Sequence, residues 1–272
     1  RLCEMLFAPN VELLFSEAGE DYADRIRAAG AAGFTAVEFW GPLGRDLPSR
    51  PKDIPAVAAA LEETGVSLVA QLAEPRTQFM IPPRDHSEFY RGLDEGVEIA
   101  RRLGNRRIVV QSGTGFPGAS RASQLDDLAE VFTKAVAQIE GSGITLVLEP
   151  VNTRVDHPGS LVDRTGDAVY VARCVGSPYF GVLFDLYHST VEGEDTAAVL
   201  ANAGGLVKYV QFADAPGRGE PGSGAIDWPA RLRDIMDAGY DGPIGLEYTP
   251  TQDSAASTQY IRGVLDRLHT SR

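Results

Sequence analysis

The sequence predicts an α/β fold, a single (β/α)8 TIM barrel domain spanning residues 1–272. Three observations support this prediction. Short apolar runs alternate with helical patterns eight times, no linker or change in composition interrupts them, and 272 residues is an ordinary length for one such barrel. Strict alternation of strand and helix favours a parallel sheet, and eight repeats favour closure of that sheet.

In the first half of the chain, apolar runs indicate the strands and glycines end the helices. Gly33, Gly65 and Gly104 each follow a helical pattern, where a left-handed residue is favoured. Ser123 is the expected N-cap of the fourth helix, which reads as long and amphipathic. The predicted strands are residues 6–15, 36–40, 66–71 and 107–111, and the predicted helices are residues 21–32, 54–63, 86–103 and 123–140.

In the second half, the strands are apolar runs that stop at or near a polar side chain. Parallel strands are covered on both faces, so their residues need not alternate in polarity. The predicted strands are residues 146–149, 182–185, 207–212 and 243–246, and the predicted helices are residues 165–175, 196–203, 229–238 and 254–268.

Two loops are unusual for their length or composition. Residues 216–224 contain four glycines, and a long irregular connection of this kind is usually functional or disordered. Residues 75–83 are too rich in proline for a helix and too apolar at their centre for an inert spacer. We therefore predict a candidate lid there.

An open doubly wound sheet is the competing fold. It is disfavoured because no glycine-rich dinucleotide turn follows the first strand, although such a turn is not obligatory. We also expect residues 1–5 to form an extension outside the barrel, because Met5 stands just before the first apolar run.

The composition of the chain indicates which binding partners are disfavoured and in which cellular compartment the protein is expected. Acidic residues outnumber basic ones by 38 to 25, a net charge of −13, so nucleic acid and anionic membrane are disfavoured. No apolar run approaches the roughly 20 residues of a membrane span, and no signal pattern opens the chain. Cys3 and Cys174 form no metal or redox motif. We predict a cytoplasmic protein with reduced thiols, Cys174 in the core.

Four oxygen-bearing side chains mark the ends of strands five to eight, namely Glu149, Asp185, Gln211 and Glu247. In a barrel of this type the carboxyl ends of the strands form the active site. Three converging carboxylates repel one another unless a divalent cation binds them. All-oxygen ligation favours Mg²⁺ or Mn²⁺, and an added imidazole from His188 would favour Mn²⁺, Co²⁺ or Zn²⁺. Singly, each acid could instead be a helix cap or an ion-pair partner.

Two further residues are candidates for binding a substrate. His188 lies three residues beyond Asp185 and could hold a substrate oxygen, or it could be a structural histidine. Arg218 lies among glycines that allow close approach, and its guanidinium suits a carboxylate, although it could be merely solvated.

The two glutamates on non-adjacent strands suggest proton transfer at carbon. A metal would polarise a carbonyl and its neighbouring hydroxyl, one of Glu149 and Glu247 would remove a carbon-bound proton, and the other would return one to an enediolate. Gln211 can only ligate or orient, because an amide does not titrate.

Four motifs carry a family resemblance. LEPVNTR, FDLYH, VQFADAPGRGEPG and GLEY, at residues 148–154, 184–188, 210–222 and 245–248, resemble those of the hydroxypyruvate isomerase family. That family belongs to the xylose isomerase-like barrels, alongside the 2-oxo-tetronate isomerases and the ketose 3-epimerases.

The resemblance implies an isomerase acting on a small hydroxy-keto acid or sugar. It implies a metal bound by Glu149, Asp185, Gln211 and Glu247, with Glu149 and Glu247 as acid and base and with His188 and Arg218 contacting substrate. By the same analogy we expect a homo-oligomer.

Two loops depart from the family pattern, and we assign Glu74 and Asn152 on them to substrate binding. Where the family has Asn-x-Pro-Ala-Gly after strand three, this chain has QLAEP at residues 71–75, and residues 153–159 are near the family's pattern but not identical. These loops form the pocket wall, so they bear on the substrate more than on the reaction.

Three other functions remain as alternatives. A ketose 3-epimerase would use the same site. An endonuclease acting on abasic DNA would resemble zinc enzymes with many histidines and a basic surface, whereas this chain has four histidines and is acidic. A sugar-binding barrel without catalysis is possible because fold does not settle function.

Overall fold

The computed structural model describes residues 5–270. Of the predicted extension, residues 1–4 lie outside that range, as does Cys3. Met5 is described and is buried in the hydrophobic core, so it lies in the fold and not in an extension.

Eight parallel strands form one sheet in the order β1-β8-β7-β6-β5-β4-β3-β2. The two edges meet at a parallel bridge between Asn10 and Glu38, where the Val11 N–H donates to the Glu38 carbonyl at 3.0 Å. The predicted barrel is confirmed, and the open sheet is wrong. The strands are β1 Phe7–Pro9, β2 Ala36–Glu38, β3 Ser67–Leu72, β4 Arg107–Val110, β5 Thr145–Leu148, β6 Phe180–Asp185, β7 Val207–Phe212 and β8 Ile244–Leu246.

Helices cover the outside of the barrel. They are α1 Tyr22–Ala31, α2 Ile54–Thr64, α3 Ser87–Arg102, α4 Arg121–Gln138, α5 Thr165–Val175, α6 Leu186–Glu192, α7 Thr196–Ala203, α8 Trp228–Asp237, α9 Ser254–Ser257 and α10 Gln259–Thr270, with 3₁₀ turns at Ser16–Ala18 and Gly204–Leu206. No helix within residues 5–270 is long and apolar enough to cross a membrane.

Several predicted boundaries differ from the structure for local reasons. The first strand ends at Pro9, because the Asn10 carbonyl and side chain accept three backbone N–H groups and turn the chain. The N-cap of α4 is Ser120, whose hydroxyl accepts the N–H of Ser123 at 3.1 Å. Cys174 is exposed near the end of α5, so its placement in the core was wrong.

Helix α6 was not predicted, and Asp185 explains why it forms. One carboxylate oxygen of Asp185, Oδ1, accepts the N–H groups of Tyr187 and His188 at 2.8 and 3.3 Å. Asp185 is therefore both the last residue of β6 and the N-cap of α6. The helix starts inside the barrel mouth, and this brings His188 into the interior.

One cluster of buried apolar side chains lies inside the barrel, below the strand-end residues. It consists of Ala70, Val109, Val147, Leu183 and Tyr209, one from each of β3 to β7. Side chains alternate across a strand, so the residue two places later points to the same side. Glu149, Asp185 and Gln211 each follow a residue of this cluster by two positions and therefore lie above it.

Candidate active site

The four strand-end residues are all buried at the carboxyl end of the barrel. Register places Asp185 of β6 directly beside Gln211 of β7, and Gln211 beside Gly245 of β8. Above them lies a cavity of about 220 Å³, which we call the inner cavity. Its wall includes Trp40, Glu149, His188, Arg218 and Glu247.

Two buried oxygens in this site have no hydrogen-bond partner within residues 5–270. They are Oδ2 of Asp185 and Oε1 of Gln211. Buried polar atoms are normally paired, so two neighbouring oxygens without a donor fit the role of ligands to a divalent cation. Glu149 and Asp185, together with His188, offer ligand atoms that lie within 4.8 Å of one another. The donor set suits a divalent metal.

Burial and neighbouring negative charges raise the pKa values of the carboxyl groups in this cluster. Burial, with Glu247 and Asp185 nearby, raises the pKa of Glu149 well above its usual value. Burial is also the main reason that the pKa of Asp185 rises to about 7, against the opposing effect of Arg218. Burial disfavours the ionised form of each carboxyl, and a bound divalent cation would favour it.

His188 is held in one tautomer by Asn152. Its Nδ1 faces the backbone N–H of Asn152 at 3.1 Å and the side-chain amide nitrogen of Asn152 at 2.7 Å. A backbone N–H can only donate, so Nδ1 accepts and the neutral ring carries its proton on Nε2. The 3.4 Å contact from Arg218 to Nε2 is then not a hydrogen bond. Burial lowers the pKa of His188 well below its usual value, which agrees with a neutral ring.

This tautomer limits what His188 can do. Nε2 lies 3.7 Å from Oε1 of Glu149 and 3.8 Å from Oδ2 of Asp185. A protonated nitrogen has no lone pair for a metal, so His188 faces the cluster as a hydrogen-bond donor. A metal held by this cluster would therefore take oxygen ligands.

Glu247 stands apart from the Glu149–Asp185–His188 group, and its two oxygens have partners of their own. Oε1 accepts the indole N–H of Trp40 at 2.7 Å and the amide of Asn10 at 3.4 Å. Oε2 accepts from Arg218 at 3.1 Å. The carboxylate is thus oriented by three donors at the mouth of β8.

Arg218 reaches the inner cavity from an ordered loop. Its φ of 54° is left-handed, and its neighbours Gly217 and Gly219 leave room around it. The loop closes on the buried carboxylate of Asp214, which accepts the N–H groups of Gly222, Ile226 and Ala215 and the indole of Trp228. The guanidinium lies between Glu247 and Asp156 and over the ring of Tyr187.

The structure gives different surroundings to the two other predicted substrate-binding residues. Asn152 is fully buried behind His188, with its amide also bonded to Asp156 at 2.6 Å, so it orients the imidazole. Glu74 lies in the wall of the inner cavity, where its two oxygens accept the N–H groups of Leu43 and Arg45 at 2.6 and 2.7 Å. Glu74 thereby holds the loop after β2.

Glu38 is a site residue that the sequence did not reveal. One oxygen accepts from Asn10 at 3.0 Å and from Gln211 Nε2 at 2.9 Å, and the other is bonded to the hydroxyl of Tyr209. By binding the amide nitrogen of Gln211, Glu38 leaves the unpaired Oε1 of Gln211 facing the cluster. Burial, followed by the charge of Glu247, raises the pKa of Glu38 to about 8. The available signal in the sequence was a single acidic residue at the end of an apolar strand.

We expect Glu38→Leu to lower divalent-metal affinity by about 10- to 100-fold, the usual effect of removing a group that orients a ligand. Glu38→Gln should retain most of the affinity, because its amide oxygen can still accept from Gln211. The measurement is competition against a chelating dye on folded protein, with thermal unfolding followed separately. If both variants bind metal like the wild type, Glu38 has only a structural role.

Comparison with known proteins identifies relatives along nearly the whole chain. A family model described as "Xylose isomerase-like TIM barrel" matches residues 26–266. A 2-oxo-tetronate isomerase from Cupriavidus necator is 32% identical over 96% of this chain and 99% of its own. A hydroxypyruvate isomerase from Escherichia coli K12 is 31% identical over 94% of this chain and 97% of its own.

Solved structures share the architecture. One, described as an AP endonuclease, family 2, from Brucella melitensis, has a TM-score of 0.83 and 27% identity, covering 95% of this chain and 98% of its own. A D-psicose 3-epimerase from Clostridium cellulolyticum H10 has a TM-score of 0.78 and 17% identity, covering 96% and 99%. The second likeness concerns the fold alone.

Proposed function

The chain belongs to the xylose isomerase-like TIM barrel family and is an isomerase, and from this premise we propose that it is a metal-dependent enzyme acting on a small hydroxy-keto acid. The substrate class is of the hydroxypyruvate/tartronate semialdehyde or 2-oxo-tetronate type. The observation that carries the metal dependence is the pair of unpaired buried oxygens, on Asp185 and Gln211, beside Glu149.

Glu149, Asp185, Gln211 and Glu247 would hold the metal. An all-oxygen set favours Mg²⁺ or Mn²⁺, and the donor tautomer of His188 argues against its adding a nitrogen ligand. When bound, the cation polarises the substrate carbonyl and acidifies the adjacent hydroxyl.

Glu149 and Glu247 carry the proton transfer in this proposal. One carboxylate takes the proton from the hydroxyl-bearing carbon, which leaves an enediolate. The other carboxyl returns a proton to the former carbonyl carbon, while the hydroxyl proton passes to the former carbonyl oxygen. Trp40 and Asn10 fix Glu247 for this role, and Gln111 fixes Glu149 through a 2.8 Å hydrogen bond. The carbonyl has then moved by one carbon without net gain or loss of atoms.

His188 and Arg218 would bind the substrate. The Nε2–H of His188 points toward the same space as Glu149 and can donate to a substrate oxygen. Arg218 already holds a carboxylate, that of Glu247, at 3.1 Å, so a substrate carboxylate finds a matching partner there.

We expect Arg218→Ala to raise KM more for hydroxy-keto acids than for neutral ketoses, by about tenfold or more for the acids, because a charged hydrogen bond is lost only with the acids. Steady-state kinetics on both substrate types gives the comparison. Arg154→Ala is the control, since Arg154 contacts Glu192 and Val191 outside the inner cavity. Equal KM changes for both substrate types would contradict a carboxylate clamp.

Hydrogen exchange in D₂O tests the function. Metal-loaded protein is incubated with hydroxypyruvate, 2-oxo-tetronates and ketoses, and the products are read by NMR. Deuterium at carbon two or three together with a displaced carbonyl supports isomerisation, while deuterium at carbon three of a ketose with inversion supports a 3-epimerase. Absence of exchange with every substrate would favour a binding barrel without catalysis.

The endonuclease alternative predicts a different result. The net charge of −13 opposes binding of a polyanion, so we expect no nicking of abasic DNA by the metal-loaded protein. Specific nicking would overturn the proposal. A homo-oligomer and a cytoplasmic location stay predictions.

A further inference from the structure

A buried ion pair joins two loops at the carboxyl end of the barrel. The ammonium nitrogen of Lys52 lies 2.5 Å from Oε1 of Glu12, and the two side chains are 0% and 3% exposed. Glu12 lies in the loop between β1 and α1, and Lys52 lies in the loop between β2 and α2, two residues before the helix begins. The pair therefore fixes one loop against the other.

The Lys52 ammonium also donates to oxygens of its own loop. It binds the carbonyls of Gly41 and Arg50 at 2.9 and 3.1 Å, and the hydroxyl of Ser49 at 3.4 Å. Burial lowers the pKa of Lys52, and the charge of Glu12 opposes that effect. An ammonium group has three protons to donate, so this arrangement of oxygens suits the charged form.

The pair holds the main chain at Trp40, the residue that binds Glu247. Oε1 of Glu12 accepts the backbone N–H of Trp40 at 3.2 Å, and Lys52 binds the carbonyl of the next residue, Gly41. The Trp40 indole lines the inner cavity and donates to Glu247 at 2.7 Å, a shorter distance than the 3.4 and 3.1 Å of the other two donors. The pair is thus one residue away from the main support of Glu247.

A buried ion pair is a poor means of stabilising a fold. Removing two charges from water opposes the gain from their attraction, and apolar side chains of similar volume often stabilise an interior equally well or better. Apolar side chains cannot supply directed hydrogen bonds, which here go to the N–H of Trp40 and the carbonyl of Gly41. The arrangement therefore suits the control of geometry more than the gain of stability.

We propose that Glu12 and Lys52 are positioning residues that hold the Trp40 indole against Glu247 in the geometry that proton transfer requires. This inference rests on the proposed isomerase function. Neither residue needs to touch the substrate, because both act through the main chain that carries Trp40.

The test uses the double substitution Glu12→Leu/Lys52→Met, which removes both charges together and leaves apolar side chains of similar size. We expect kcat to fall at least about tenfold, because displacing a reacting group by about 1 Å can cost about 100-fold in rate. KM should change less than about threefold, because the proposed substrate contacts keep their own partners. The thermal midpoint should stay within about 5 °C of the wild type.

Trp40→Phe shows whether the pair acts through Trp40. This substitution removes the indole donor to Glu247 and should lower kcat by a similar factor. Combining it with Glu12→Leu/Lys52→Met should lower kcat no further, because effects that pass through one contact are not additive. A pair with only a structural role would lower kcat by the same factor whether residue 40 is Trp or Phe.

Two further variants serve as comparisons. Glu12→Gln/Lys52→Met retains an oxygen that can accept the Trp40 N–H, so it should recover part of the lost kcat and lose only about threefold. Glu20→Gln breaks the exposed ion pair between Glu20 and Arg50, which joins the same two loops, and it should leave kcat unchanged.

The outcomes separate this inference from the proposed function. Wild-type turnover that Glu12→Leu/Lys52→Met leaves unchanged would overturn the positioning role and retain the isomerase, as would additive losses with Trp40→Phe. If that double variant does not fold, Glu12→Gln/Lys52→Met takes its place, and its smaller loss should likewise vanish when Trp40 is replaced. Absence of wild-type turnover with every substrate would overturn the isomerase function and this inference with it.

Discussion

The Glu247→Gln variant is expected to fold normally and to lose isomerase turnover by about 10³-fold or more. An amide cannot take or return a carbon-bound proton, and it removes one negative charge from the proposed metal ligands. The amide oxygen can still accept from Trp40 and Asn10, so the side chain should keep its place. Arg218 loses one partner and retains Asp156.

The measurement is kcat at saturating metal and substrate, with circular dichroism as the check on folding. Glu192→Gln is a matched control, because Glu192 is a buried carboxylate that binds Thr153 and lies outside the inner cavity wall. A drop of about 10³-fold corresponds to about 4 kcal/mol of transition-state stabilisation. Near-native turnover by Glu247→Gln would remove Glu247 from the mechanism.

The second prediction is that Asp185→Asn stabilises the metal-free protein and abolishes its stabilisation by metal. The unpaired Oδ2 of Asp185 lies among buried carboxylates, and removing its charge relieves repulsion with Glu149 and Glu247. Asparagine is an equally good N-cap, so α6 should remain. Relief of about 1–3 kcal/mol would raise the thermal midpoint of the apo protein by several degrees.

Thermal unfolding with chelator and with Mn²⁺ gives both parts of this result. Wild-type protein should gain about 2.7 kcal/mol at a metal concentration of 100 Kd, and the variant should gain little at the same concentration. Asp195→Asn, an exposed N-cap of α7, controls for the change of cap chemistry. If Mn²⁺ stabilises Asp185→Asn as much as the wild type, the cation binds elsewhere.

The sequence predicted those features of the fold and of the site that follow from the apolar runs and their order in the chain. Eight apolar runs predicted eight strands, and their order in a parallel barrel predicted that Glu149, Asp185, Gln211 and Glu247 would lie together at its carboxyl end. The resemblance to the hydroxypyruvate isomerase family is confirmed by relatives that align along the full chain. Metal identity and the roles of the site residues stay proposals.

The sequence pattern did not reveal contacts between side chains that lie far apart in the chain. Glu38 contacts Gln211 and Tyr209 because the barrel closes between β1 and β2, and nothing near Glu38 in the sequence indicates that closure. The substrate-binding roles of Asn152 and Glu74 stay predictions, and the structure adds that the donors of Asn152 face the Nδ1 of His188 and the carboxylate of Asp156. The carboxylate of Glu74 is similarly committed to a neighbouring loop.

The sequence by itself determined the barrel and the oxygen-bearing residues at the carboxyl ends of its strands, because both follow from the apolar runs and their order in the chain. Only the tertiary structure decided how the polar atoms of these residues are paired in hydrogen bonds. Among residues 5–270, it left Oδ2 of Asp185 and Oε1 of Gln211 without a hydrogen-bond partner, and it fixed the tautomer of His188. Hydrogen-bond pairing depends on distances of about 3 Å across closed strands, and periodicity carries no information at that scale.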